Sequence, residues 1–291
     1  MVKVYKVSVI ICTFNERDCI LKALKSLKLN DIYTETEIIL IDDCSTDLVT
    51  LQILNRLDKF TRIKIIRSEK NLGLSNSRNL GFINSSTEII LPLDADDELP
   101  ANTLDLIYKT FIENTGIDFI VGNYYLNDVE TRQINLVECT DITSNGIIDA
   151  KKLASNWKLL GTSPCKKSTW EKVRGYDLEY SYSIQDVDFW IRVIFNGFTG
   201  MYLNFPIYKW NKSSNGMNMS FDRFDMIKIL DRHEDFYLLS WQRKDLYNKI
   251  FEGYYPYKQK EVINRYGRKS FFYLRPKNKI RFIVFFLVNL F

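Results

Sequence analysis

The sequence predicts an α/β protein: a doubly wound, mostly parallel sheet followed by a helical C-terminal extension. Three observations carry this. Short β-rich runs alternate with helix-period segments through the first 126 residues. Those runs are apolar along their length, as in strands buried on both faces. Toward the C-terminus the strand pattern gives way to helical periodicity.

Val7 to Cys12 is the first strand. The helix after it sets Ile20, Leu21, Leu24 and Leu27 on one face and Lys22, Lys25 and Lys28 elsewhere. Glu37 to Asp42 is a second strand. Thr46 to Leu57 is a helix, with Ser45 or Thr46 as its cap. Arg62 to Arg67, Glu88 to Leu93 and Ile117 to Leu126 are three more strands, separated by helices over Leu74 to Asn84 and from Pro100 to about Asn114. Four βα repeats imply a parallel sheet with right-handed crossovers. After Leu126 the pattern loosens. Helices are predicted over Lys166 to Arg174 and Ile184 to Phe195, a strand over Met201 to Trp210 and a polar loop over Asn211 to Ser220. Three tail helices are predicted over Phe224 to Trp241, Lys244 to Tyr266 and Lys277 to Phe291. The domain boundary falls at 215, with halves 1–126 and 127–215 before it and the helical region 216–291 after it.

Composition excludes several classes. The chain has 291 residues, 46% of them hydrophobic and 26% charged, so it is a folded protein and not a disordered one. No stretch approaches the ~20 apolar residues of a membrane-spanning helix. Residues 1–6 lack an apolar run, so no signal peptide is expected. A single histidine excludes a three-histidine zinc centre. His233 itself lies in a tail helix and reads as a surface or packing residue. Five cysteines without a Cys-x-x-Cys pair read as reduced thiols.

Ligands of such sheets sit at the carboxyl ends of the strands. That directs attention to residues 13–17, 42–47, 68–78 and 94–97. Asp94-Ala-Asp-Asp97 gathers acids that repel one another unless a cation lies among them, which suits a hard divalent ion such as Mg²⁺. The other reading is a solvated acidic loop leading into the helix at Pro100, and Asp97 and Glu98 fit it well. One of Asp42 and Asp43 could cap the next helix while the other accepts hydrogen bonds from a base or ribose. Arg78, one turn into its helix, either faces a pyrophosphate with its planar fork or is an exposed helix arginine. Asp186 and Asp188 are either first-turn helix acids or, in the functional version, a base aimed into a cleft.

In this order and spacing, these motifs resemble the family 2 glycosyltransferases, which have the Rossmann-like GT-A fold. The resemblance runs through residues 7–16, 41–47, 71–81 and 93–98, then Gly-Tyr-Asp at 175–177 and Gln-Asp-Val-Asp-Phe-Trp-Ile-Arg at 185–192. It covers about residues 5 to 212. It implies that Thr13, Phe14 and Glu16 line a nucleoside pocket, and that Asp43, with Asp42, binds the base, usually uracil. Asn71 and Arg78 would lie on the donor side, Arg78 near the phosphates. Asp94 and Asp96 would form the Asp-x-Asp motif, which turns toward the sugar-nucleotide and a Mn²⁺ or Mg²⁺ ion. Asp186 would be the base for an inverting transfer by a hexosyl- or N-acetylhexosaminyltransferase. Two positions depart from the family. Gln185 stands where an acid is usual, and Asn211 lies where many members carry a metal- or phosphate-contacting histidine; either Asn211 replaces it or the metal has fewer protein ligands.

Net charge adds a partner. Residues 241–291 hold 12 Lys or Arg against 3 Asp or Glu, and the first 240 hold 28 against 33, so a basic tail follows an acidic body. Phe and Leu runs flank the basic residues. That suits a helix in the interface of an anionic membrane better than nucleic acid, with packing on the catalytic domain or a homodimer contact as alternatives. The resemblance implies as partners a nucleoside-diphosphate sugar, of the UDP-sugar class, and a polyprenyl-linked glycan acceptor of the capsule or O-antigen kind. The expected location is cytoplasmic, on the inner face of the cell membrane. A rival reading is a catalytically weak sugar-nucleotide-binding scaffold. A nucleotidyltransferase would need a Gly-rich basic loop at residues 13–17, and a dehydrogenase Gly-x-Gly-x-x-Gly; neither is present.

Overall fold

The computed structural model describes residues 4–180, 184–213, 223–257, 259–269 and 271–288. They divide into two compact units, 4–149 with 158–213, and 150–157 with 223–288. The single cut expected at 215 thus misses α5 (Ala150–Ser155), a short helix that belongs to the second unit. Most of the polar loop predicted over 211–220 lies outside the described residues.

The first unit holds one sheet. β1 (Val7–Thr13) pairs in parallel with β2 (Thr36–Asp42) and β4 (Ile89–Asp94), and β2 pairs with β3 (Ile63–Arg67). β5 (Phe119–Asp128) pairs in parallel with β10 (Gly200–Lys212) and antiparallel with β6 (Gln133–Val137). The two parallel groups are joined by β9 (Cys165–Lys166), which runs antiparallel to both β4 and β5. A small hairpin of β7 (Thr143–Ser144) and β8 (Ile147–Ile148) closes the β10 side. The register of β10 shifts on both sides of Pro206, where the missing amide cannot donate to a ladder.

Both faces of the sheet are covered. Val9, Ile11, Leu40 and Leu91 pack with side chains of α1 (Cys19–Leu27), α2 (Leu48–Leu57) and α4 (Thr103–Glu113). Ile10 points the other way, against Gly81 of α3 (Leu74–Asn84). Each fully buried aliphatic side chain contributes about 1.5–3 kcal/mol.

Two helix starts differ from expectation. Asp47, not Ser45 or Thr46, caps α2, accepting from the Thr50 amide at 3.0 Å. A carboxylate both accepts the amide and complements the helix dipole. α4 begins at Thr103, not Pro100, because Asn102 is left-handed at φ 61°. The Leu104 amide then donates to Oδ1 of Asn30 at 2.8 Å.

The second unit is helical: α5, α8 (Arg223–Arg232), α9 (Glu234–Tyr237), α10 (Arg243–Tyr254), α11 (Lys260–Lys269) and α12 (Pro276–Val288). Within it, Trp157 meets Phe236 edge-on and Trp241 donates to the Ala154 carbonyl at 3.2 Å. The helix predicted over 224–241 breaks at His233, and the one over 244–266 at a 3₁₀ turn containing Pro256. The buried Asn278 anchors α12 to Asn248 (2.8 Å) and Glu252 (3.0 Å) of α10. Among the described residues, no helix is long and apolar enough to cross a membrane.

Candidate active site

Sheet register builds the site's floor. Thr13 lies beside Asp42, and Cys12 beside Asp94. The loops after β1, β2 and β4 therefore open side by side at the carboxyl edge.

The first two loops are laced together. Asn15 accepts from the amides of Thr46 and Asp47, both at 2.8 Å, and its own amide donates to Ser45 Oγ at 3.0 Å. Arg17 pairs with Asp47 at 3.0 Å. This lacing leaves Phe14 exposed and Glu16 half-buried. Asp42 and Asp43 are both buried. Asp42 accepts from the Ser45 amide at 2.9 Å, closing its own loop. Asp43 receives the amides of Leu72 (2.9 Å) and Gly73 (2.8 Å), one on each oxygen. Neither caps α2. Asp43 instead fixes the turn between Asn71 and α3, where Gly73 takes φ 83°, a region open chiefly to glycine.

Arg78 sits on the first turns of α3. It is only 3% exposed, not the exposed helix arginine of the simpler reading, and bonds Asp94 at 2.8 Å. Burial opposes its charge, but the neighbouring groups, Asp94 first and Asp186 among them, together outweigh that, so the guanidinium stays protonated. Its Nη1 has no hydrogen-bond partner within the protein; nor do the buried Thr13 Oγ1 and Gln185 Oε1. Burial, then the nearby Asp94, pushes the Asp96 carboxyl up to about 6. Burial, then Asp96 and Asp94, pushes Glu16 up to about 7. These acids resist ionising together, the condition that a bound cation relieves. Among the described residues, no three His, Cys, Asp or Glu side chains close on one point. Oxygen donors of this kind fit a hard divalent ion such as Mg²⁺ or Mn²⁺, for which one or two carboxylates and substrate phosphate would be the ligands.

The remaining acid of the cluster is a brace. Asp97 is buried, accepts from Tyr208 Oη at 2.8 Å and from the Asn211 amide at 2.7 Å. Asn211 Nδ2 donates to the Asp96 carbonyl at 2.8 Å, and its Oδ1 accepts from Asn127 at 2.7 Å. Both polar ends of Asn211 are thereby engaged in holding the acidic loop, so the expected replacement of a metal-contacting histidine gives way to a positioning role. Lys209 and Glu98 add a two-way backbone bridge and an ion pair at 2.8 Å.

α7 (Gln185–Phe195) brings Asp186 to the same place. Burial raises its carboxyl above the ordinary range, and Arg78 pulls it part of the way back. Ile184, just before it, is left-handed at φ 44°, a costly conformation for a β-branched residue and one that clusters at functional sites. Asp188 plays no such part: it is fully buried and pairs with Arg192 at 2.7 Å. Gly161 separates Asp186 from Arg78. A Cβ there would lie 2.7 Å from Asp186 Cβ and 3.1 Å from Arg78 Nη1. Gly161→Ala is therefore expected to displace Asp186 and lower kcat about tenfold to a hundredfold, while nucleotide affinity, read by calorimetry, stays near wild type. No motif marks Gly161 in the sequence; its role comes only from this close approach. Tyr208 was legible only as a strand residue.

The sequence profile described as glycosyl transferase family 2 matches residues 8–173. A cholesterol galactosyltransferase of Borreliella burgdorferi is 36% identical over 123 residues, 42% of this chain and 33% of that protein. A UDP-Glc:alpha-D-GlcNAc-diphosphoundecaprenol beta-1,3-glucosyltransferase of Escherichia coli is 32% identical over 120 residues, 41% of this chain and 46% of that one. The match thus spans about a third to a half of these curated relatives. Staphylococcus aureus TarS 1–349 in complex with UDP-GlcNAc superposes with a TM-score of 0.64 at 19% identity, over 96% of this chain and 79% of that one.

Proposed function

The chain belongs to glycosyl transferase family 2 and has the GT-A fold, and from that premise we propose that it moves a hexosyl or N-acetylhexosaminyl group from a UDP-sugar to a hydroxyl of a polyprenyl-linked glycan. The observation that carries the reading is the meeting of Asp186 with the Arg78–Asp94 pair across Gly161, beside Asp96. The acceptor hydroxyl gives its proton to Asp186. Its oxygen attacks the anomeric carbon opposite the leaving group, and configuration inverts. The bond from that carbon to the diphosphate breaks, and the nucleoside diphosphate leaves with the electron pair. Arg78, always charged and with Nη1 unpartnered, offsets the charge that develops there. Asp96, with Asp94 beside it, would hold Mn²⁺ or Mg²⁺, which when bound supplies Lewis-acid stabilisation of the diphosphate. Thr13, Phe14 and the Asp43-braced turn at Asn71 and Gly73 form the nucleoside side. UDP in the donor is supported by the UDP-Glc-dependent glucosyltransferase relative and the UDP-GlcNAc complex of TarS. A lipid-linked acceptor places the protein on the cytoplasmic face of the membrane, in assembly of a surface polysaccharide such as capsule or O-antigen.

The test is nucleoside-diphosphate release from a panel of UDP-, dTDP- and GDP-sugars with Mn²⁺, comparing wild type with Asp96→Asn. Release from one UDP-sugar, dependent on metal and lowered at least about a hundredfold in Asp96→Asn, is the expected result. Nucleotide binding without turnover, even with lipid-linked acceptor supplied, would sink the enzyme reading in favour of a binding scaffold.

A further inference from the structure

Residues 262–291 carry seven Lys or Arg and no Asp or Glu. Within the second unit, the buried Asn278 and Phe282 seat α12 on its neighbours. The side turned away from them is apolar. Ile280, Ile283, Val284 and Leu287 are all exposed, Ile280 at 63%, with the i, i+3, i+4, i+7 spacing of one helix face. Phe272, just upstream, is 91% exposed. Monomeric proteins rarely leave so contiguous an apolar stripe in water.

Basic groups border the stripe. Lys277 is exposed at the start of the helix. The Lys279 ammonium lies 5.4 Å from the Phe271 ring centroid, and the Arg281 guanidinium lies 5.2 Å from that of Tyr255. These ring contacts hold the charges at fixed places beside the apolar residues. At 13 residues the helix is about 20 Å long, short of the ~30 Å hydrocarbon core. A short helix with an apolar stripe and a basic border lies in the plane of a membrane interface.

We propose that α12, with Phe272, is a docking surface for anionic lipid. The exposed aliphatic side chains enter the headgroup–acyl boundary, and Lys277, Lys279 and Arg281 meet lipid phosphates. A second protein copy could bury the stripe, but Lys277, Lys279 and Arg281 along it would then approach their own counterparts. An anionic surface complements them. The surface is independent of donor and acceptor chemistry, so its test needs no glycan.

The test is sedimentation of the full chain with vesicles of phosphatidylcholine alone or with one third phosphatidylglycerol. Expected are binding to the anionic vesicles, at least tenfold weaker binding to the neutral ones, and weakening in high salt. Ile283→Asp with Leu287→Asp lowers binding at least tenfold, and so does Lys277→Glu with Lys279→Glu. Circular dichroism and nucleotide binding stay unchanged in both. Absence of wild-type binding to anionic vesicles, or equal binding by the variants, overturns the proposal. So does light scattering that shows a dimer which Ile283→Asp splits into monomers.

Discussion

Replacing Asp186 by asparagine is expected to lower kcat by about 10²–10⁴-fold, the usual worth of a positioned general base. The exchange is nearly isosteric, so the gap at Gly161 stays filled as before and donor affinity stays within about threefold of wild type. What is lost is the only change made, the ability to take a proton. The pH profile gives a second reading. The base works deprotonated, so kcat/KM falls as pH drops through the Asp186 pKa. Burial raises that pKa and Arg78 only partly offsets the rise. The acid limb should therefore lie above the ~3.9 of an ordinary aspartate, and it should vanish from the residual activity of Asp186→Asn. Stopped-time assays across pH with a saturating donor measure both. Retention of more than about a tenth of wild-type kcat would place the base elsewhere, because a mechanistic base is worth more than that.

The strand ends that carry this chemistry were legible because strand signals are local. The apolar runs ending at Cys12, Asp42 and Leu93 each sit within a residue of the observed ends of β1, β2 and β4. α3 matched residue for residue, since its pattern is closed by Gly73 before it and Ser85 after it. The residues that hold the acidic loop were not legible in the same way. Tyr208 and Asn211 reach Asp97 and the Asp96 carbonyl across more than a hundred residues, and no spacing rule connects them. Asp42 and Asp43 were recognised as important, yet their partners are backbone amides, which every residue but proline carries and which no side-chain pattern reveals. β7, β8 and β9 are two residues each and owe their state to pairing, not propensity. Within the tail, the helix predicted over 244–266 overran Pro256, a breaker that stands in the sequence; at His233 nothing in the neighbours' periodicity interrupts the helix.

The same long-range logic makes Arg78 the position at which stability should suffer most. Arg78→Met keeps the volume and most of the apolar stem but removes the guanidinium facing Asp94. Breaking a fully buried pair costs about 3–5 kcal/mol. Here Asp94 is 34% exposed, so water can solvate the carboxylate left behind, and about 2–3 kcal/mol is the better expectation. Urea unfolding should show a lower midpoint at unchanged slope. Arg78→Lys should recover only part of this, because a point charge cannot reproduce the fork that spans from Asp94 toward Asp186. The decisive comparison is Arg78→Met in an Asp94→Asn background. If the cost arises from a stranded carboxylate, the double variant is more stable than the sum of the single losses predicts, by about 1 kcal/mol or more. Strict additivity would mean that the two residues do not act as a pair, and that the guanidinium is kept buried for the diphosphate alone.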